Sequence, residues 1–197
     1  MSVHLVGLTV VVAGATFLLG KALDLLNPNL IAGVFIYAAF ALASFAISAV
    51  YHLTPRHDLR AGLRRLDHAA IPVFQAATFT PLLLFAGTSL SYKILWALWG
   101  LALVSIILKF SGKLMSTRMV ILPNFLIGAV ALIALVDFMF IMPVKVSILI
   151  VTACSFYAFG SIFYARKQQK YRYAIWHSFV LLGSASFYMA IWACLFQ

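Results

Sequence analysis

Seven apolar stretches, each close to the length that carries a helix across a bilayer, constrain this chain more than any other feature. They run from Val3 to Leu23, Leu30 to Leu53, Ala69 to Thr88, Tyr92 to Phe110, Met119 to Ile141, Val144 to Ala165 and Ala174 to Leu195. About 20 residues, rising ~1.5 Å each, cover a hydrocarbon core ~30 Å thick. No water reaches that core to satisfy backbone N–H and C=O groups, so only helices and closed barrels can cross it. The runs are too long for barrel strands and lack polar alternation, which selects helices. With 65% of residues apolar or aromatic and 9% charged, there is too little polar surface for a soluble globule, and the composition excludes disorder. The expected fold is an all-α membrane protein, a seven-transmembrane-helix bundle in which residues 1–197 form one transmembrane domain.

Turn and cap residues separate the runs: Asn27-Pro28-Asn29, Thr54-Pro55, Ser111-Gly112 and Pro143. No small-residue cleavage site follows the first run, so it reads as a helix rather than a removed signal. The two cysteines, Cys154 and Cys194, lie inside apolar runs and read as small buried hydrophobes.

The net charge of +10 would suggest nucleic acid in a soluble chain. Here it orients the bundle, because loops rich in Lys and Arg stay cytoplasmic. The second, fourth and sixth loops and their helix ends hold Arg56, Arg60, Arg64, Arg65, Lys109, Lys113, Arg118, Arg166, Lys167, Lys170 and Arg172, which is 11 of the 14 basic residues. Lys21, Lys93 and Lys145 fall on the other side. The amino terminus is therefore expected in the cytoplasm and the carboxyl terminus outside, the reverse of G-protein-coupled receptors. Membrane lipids are the expected partners; nothing points to nucleic acid or a soluble protein, and an oligomer is left open. Ser111-Gly112-Lys113 lacks the rest of a phosphate loop.

Ionisable groups inside spans cost ~2.5–3.5 kcal/mol at the bilayer centre on insertion scales, so each is a functional candidate. His52 ends the second run, Asp67 opens the third and His177 lies about one turn into the seventh, all three at one membrane depth. Two imidazoles and a carboxylate suit zinc, with a fourth position left for water whose pKa the metal lowers toward ~7. Ser48, one turn before His52, can orient that imidazole or bond a bound water. The plainer reading has the histidines as interfacial helix-end residues and Asp67 as a dipole-favoured carboxylate; spacing alone leaves both open. His68 is about 100° around the helix from Asp67, which suits an outer-shell or interfacial role. His4 reads as a terminal interfacial residue and Asp137 as a snorkelling or lysine-paired group on the far side. Pro72 and Pro81 each free a carbonyl in the third helix. They either open a cavity beside Asp67 or are tolerated through Gln75 or Thr78.

Five blocks carry a resemblance: Ser48-Ala49-Val50-Tyr51-His52, Leu66-Asp67-His68-Ala69-Ala70-Ile71, Thr78-Phe79-Thr80-Pro81, Gly160-Ser161-Ile162-Phe163-Tyr164, and Ala174-Ile175-Trp176-His177-Ser178-Phe179-Val180 with Gly183-Ser184. In this order they resemble the hemolysin III family, which belongs with the adiponectin- and progestin-receptor-like proteins. The resemblance implies a seven-helix bundle with a cytoplasmic amino terminus and a zinc ion near the cytoplasmic ends of helices two, three and seven. It also implies His52 and His177 as ligands, with Asp67 contacting the metal through water.

Departures accompany it. The first histidine of the family's His-x-x-x-His pair falls on Tyr173 and a further family histidine on Phe187, although a histidine is common where His4 stands. Tyr173, one turn before His177, is a poor substitute ligand at a reference pKa of ~10, and Asp67 is expected to ligate directly in compensation. Three functions follow. One is a zinc-dependent hydrolase of membrane amide lipids in the cell membrane, with Asp67 or Ser48 managing the proton. The second is a noncatalytic sensor or homeostasis protein. The third is a pore, which lacks a polar helix stripe to line it.

Overall fold

The computed structural model describes residues 2–111 and 117–196, with side chains from 3–111 and 122–196. Gly112 and Lys113, and the side chain of Arg118, lie outside the described residues. Among the described residues the structure is helical, without strands: α1 Ser2–Leu25, α2 Pro28–Leu53, α3 Arg60–Ala86, α4 Ser89–Phe110, α5 Thr117–Ile133, α6 Leu135–Ile141, α7 Val144–Ala165 and α8 Arg172–Leu195. Among the described residues seven spans are long and apolar enough to cross a membrane, the fifth, Leu122–Ile141, being shared by α5 and α6. The helical ladder lapses at Ala134, whose N–H turns to Ala131 O at 3.1 Å. Apolar composition marks the whole stretch as a span but carries no signal for this break.

The chain divides into two compact units, Met1–Asp137 and Phe138–Gln197. In the first, α3 packs against α2, α4 and α5, and α2 against α1. Burial makes α3 the centre: 61% of its apolar window is inside, against 17% for α1. Its polar residues are tolerated for that reason, since they meet protein rather than lipid. α3 also begins at Arg60, well before the apolar run opens at Ala69, because a helix continues past the hydrocarbon boundary where apolarity does not. It ends at Gly87, whose φ of 63° permits the left-handed cap with N–H to Leu83 O.

Local chemistry sets the connections. Asn27 caps α2 by accepting from Leu30 N at 3.1 Å, with Pro28 in the first turn. Thr88 caps α4 by accepting from Ser91 N at 2.9 Å. Asp137 joins this cap rather than snorkelling or finding a lysine: Thr88 Oγ1 and Ser91 Oγ both donate to its Oδ2. A carboxylate from α6 thus completes the amino-terminal cap of α4. Pro72 and Pro81 are fully buried without breaking α3. Neither proposed helper serves the carbonyls they free: Thr78 donates to Phe74 O at 2.7 Å and Gln75 to Asn124 O at 3.3 Å. Gly33 lets α2 approach Pro81, where an added Cβ would lie 3.2 Å from backbone. Lys109, counted among the orienting charges, is buried and donates to Ser105 Oγ at 3.0 Å.

The second unit centres on the α7–α8 pair. A Cβ on Gly160 would sit 2.7 Å from Phe179 Cβ, and one on Gly183 2.8 Å from Tyr157 Cε2. Between them Tyr157 Oη and Ser184 Oγ share a hydrogen bond of 2.9 Å. Cys194 is buried and Cys154 half-buried, both as free thiols.

Candidate metal centre

Helix lengths position the first pair of residues. α1 and α2 form a hairpin across Leu26 and Asn27. From His4 to the end of α1 is about 32 Å of helix and from the start of α2 to His52 about 36 Å. The first turn of α1 therefore returns to the last turn of α2. The two imidazoles stack there, centroids 4.3 Å apart and planes at 16°. Tyr51 packs edge-on to His52 at 4.6 Å, and the Arg60 guanidinium lies over Tyr51 at 5.9 Å.

Asp67 lies two turns into α3 and is buried. Its carboxylate is within electrostatic reach of both His4 and His52. His68 is also buried, and its Nδ1 comes within 3.4 Å of Asp67 Oδ2. The two adjacent side chains meet despite their angular separation on the helix. Ser48, one turn before His52, has a buried Oγ with no hydrogen-bond partner among the described residues. Such a hydroxyl carries a desolvation cost that a ligand or water would relieve.

In the second unit, His177 is half-buried and lies five residues after the start of α8. Its neighbour Trp176 packs on Tyr164 at 5.6 Å. Tyr173 is 45% exposed, and its phenol oxygen accepts from Arg172 Nη2 at 2.6 Å. Phe187 is buried against Tyr157, centroids 6.3 Å apart, so an apolar contact fills the position of the family's further histidine.

The structure thus stacks His52 on His4 in one unit, with Asp67 in electrostatic reach and Ser48 one turn away on α2, and carries His177 and Tyr173 on the other. His4, read from sequence as a terminal interfacial residue, is the one the structure stacks on His52. Its signal was the hairpin itself: a histidine in the first turn of one span and another in the last turn of the next, joined by a short connection.

Seven membrane-spanning helices with imidazole and carboxylate side chains buried near their ends define a multi-pass protein of the cell membrane carrying a polar cluster. A family model described as haemolysin-III related matches residues 1–188. The hemolysin-3 homolog of Bacillus subtilis (strain 168) is 29% identical over 197 residues, covering 95% of this chain and 89% of that protein. Hemolysin-3 of Bacillus cereus is 26% identical over 157 residues, 79% of this chain and 72% of that one. The chain belongs to the haemolysin III family.

Proposed function

We propose that this protein is a membrane hydrolase in which zinc, held by His4, His52 and His177, serves the cleavage of a carbonyl-bearing membrane lipid. His4 and His52 stack in the first unit, and the likeness to the family's ligand set supplies His177 as the third imidazole. The reading is carried by the stacked His4 and His52 pair with the buried Asp67 carboxylate in electrostatic reach. The residues fit the metal chemically: neutral imidazoles are preferred zinc ligands, and the orphaned Ser48 hydroxyl supplies a hydrogen-bonding group beside one of them.

With His4 as third imidazole, Asp67 is released from direct ligation. Bound zinc supplies Lewis acidity, making water acidic enough to lose a proton near neutral pH and polarising a carbonyl. Asp67 would serve as the group that takes a proton from the attacking water and returns it to the leaving group. Ser48 orients the His52 ring or the attacking water. Family likeness makes an amide lipid the first substrate to try, and the charge count supports a cluster toward the cytoplasmic leaflet.

Metal analysis of detergent-purified protein tests the reading. We expect about one zinc per wild-type chain and a large loss in His52→Ala and His177→Ala. Stoichiometry well below one in the wild type would remove the metal mechanism. Turnover of a ceramide-like lipid by the wild type and not by Asp67→Ala supports the enzyme. Zinc binding without turnover of any amide or ester lipid would leave a noncatalytic membrane protein. Dye release from liposomes that persists in both histidine variants would favour a pore.

A further inference from the structure

The connection between α7 and α8 concentrates positive charge that its own unit cannot neutralise. Arg166, Lys167, Lys170 and Arg172 fall within seven residues, while residues 138–197 contain no Asp or Glu. Arg166, Lys167 and Lys170 are exposed. The α2–α3 connection differs in holding an acidic partner: Arg56 pairs with Asp58 at 3.0 Å, although Arg60 there lies over Tyr51 at 5.9 Å. Around α7–α8 the cations lie over aromatic rings instead: Arg166 over Phe163 at 5.8 Å, Lys170 over Tyr171 at 5.1 Å and Arg172 over Tyr173 at 4.5 Å. A ring face holds a cation in place without cancelling its charge, and it leaves most N–H donors available to an acceptor. Tyr171 is itself 69% exposed, with a left-handed φ of 61°. An amphipathic ring of this kind favours the boundary between headgroups and hydrocarbon.

We propose that this connection is a binding surface for anionic phospholipid headgroups. Lipid phosphates accept hydrogen bonds from Arg166, Lys167, Lys170 and Arg172, and the Tyr171 ring settles among the headgroups. A lipid rather than a free anion is the occupant because the connection joins the ends of two membrane-spanning helices, the depth at which headgroup phosphates are concentrated. The surface uses none of the proposed zinc ligands His4, His52 and His177 and needs no metal.

The test uses the full-length protein in micelles containing equal phosphatidylglycerol and phosphatidylcholine, with retained lipids counted by native mass spectrometry. The wild type is expected to retain phosphatidylglycerol preferentially, and R166Q/K167Q/K170Q to lose that preference by about fivefold for each charge removed. R56Q/R64Q/R65Q removes the same charge from the α2–α3 region and should keep the preference. Equal loss in both variants, or none in the first, overturns the proposal. So does displacement of the lipid by inorganic phosphate when chloride of matched ionic strength leaves it bound, since the ligand would then be a free anion. Should the triple variant not fold, wild-type preference measured from about 0.05 to 0.5 M salt decides the matter, because exposed contacts of this kind must weaken with screening. A preference that salt leaves unchanged overturns it.

Discussion

His4 and Ser48 have different expected roles beside His52, and those roles predict different magnitudes. Losing an outer-shell partner typically costs ~10–100-fold in metal affinity, which is the effect expected for Ser48→Ala. His4→Ala should exceed it, because a ligand is removed and the His52 ring loses its stacked partner. Competition titration with a fluorescent zinc chelator separates the two, and equal, small effects would return His4 to an interfacial role. Tyr173→His should raise zinc affinity if the residue one turn before His177 can turn from its Arg172 hydrogen bond toward the metal; unchanged affinity would show that this face of α8 points elsewhere. His52, Asp67, His177 and Ser48 were conspicuous as candidates, because ionisable or polar groups at the ends of apolar runs stand out. His4 was not. Near a chain start, a histidine looks interfacial until the hairpin returns the next helix to it.

The same contrast holds for helices. Apolar length found all seven spans, because the need to bury backbone in lipid is written into composition. It set the start of α3 late, at Ala69 rather than Arg60, and gave no warning of the lapse at Ala134. Asp137 was misjudged because its partners, Thr88 and Ser91, lie 49 and 46 residues away. Close helix contact was equally unreadable, since a glycine in a span looks alike whether or not a neighbour presses on it. Gly183→Ala must displace the Tyr157 ring and Gly160→Ala the Phe179 side chain. Overpacking of this kind costs ~1–3 kcal/mol, visible as a lower thermal midpoint in detergent. Gly20→Ala meets nothing within 4 Å and should be neutral or slightly stabilising through helix propensity. Equal effects at all three positions would show that the α7–α8 contact does not govern stability.

For the molecule as a whole, charge and metal give separable predictions. Eleven cations in the second, fourth and sixth loops and their helix ends against three elsewhere predict an amino terminus in the cytoplasm. Tags at the two termini should therefore differ in protease protection in intact cells, the amino-terminal one being protected. Zinc supplies the larger test, because the proposed ligands His4, His52 and His177 lie far apart in the sequence. A ligand that binds the folded chain and not the unfolded one stabilises it by ~2.7 kcal/mol at a free concentration 100 times Kd. For a chain of this size that corresponds to a thermal midpoint higher by roughly 5–10 °C. Chelation should reverse the gain in the wild type, and zinc should restore it. His177→Ala should begin near the chelated wild-type midpoint and respond little to zinc. The Asp67→Asn variant should keep most of the zinc response while losing lipid turnover, since its carboxylate is assigned to the proton rather than the metal. A midpoint indifferent to both zinc and chelator would show that the three imidazoles hold no common ion. A zinc response lost in Asp67→Asn as fully as in His177→Ala would instead make Asp67 a ligand.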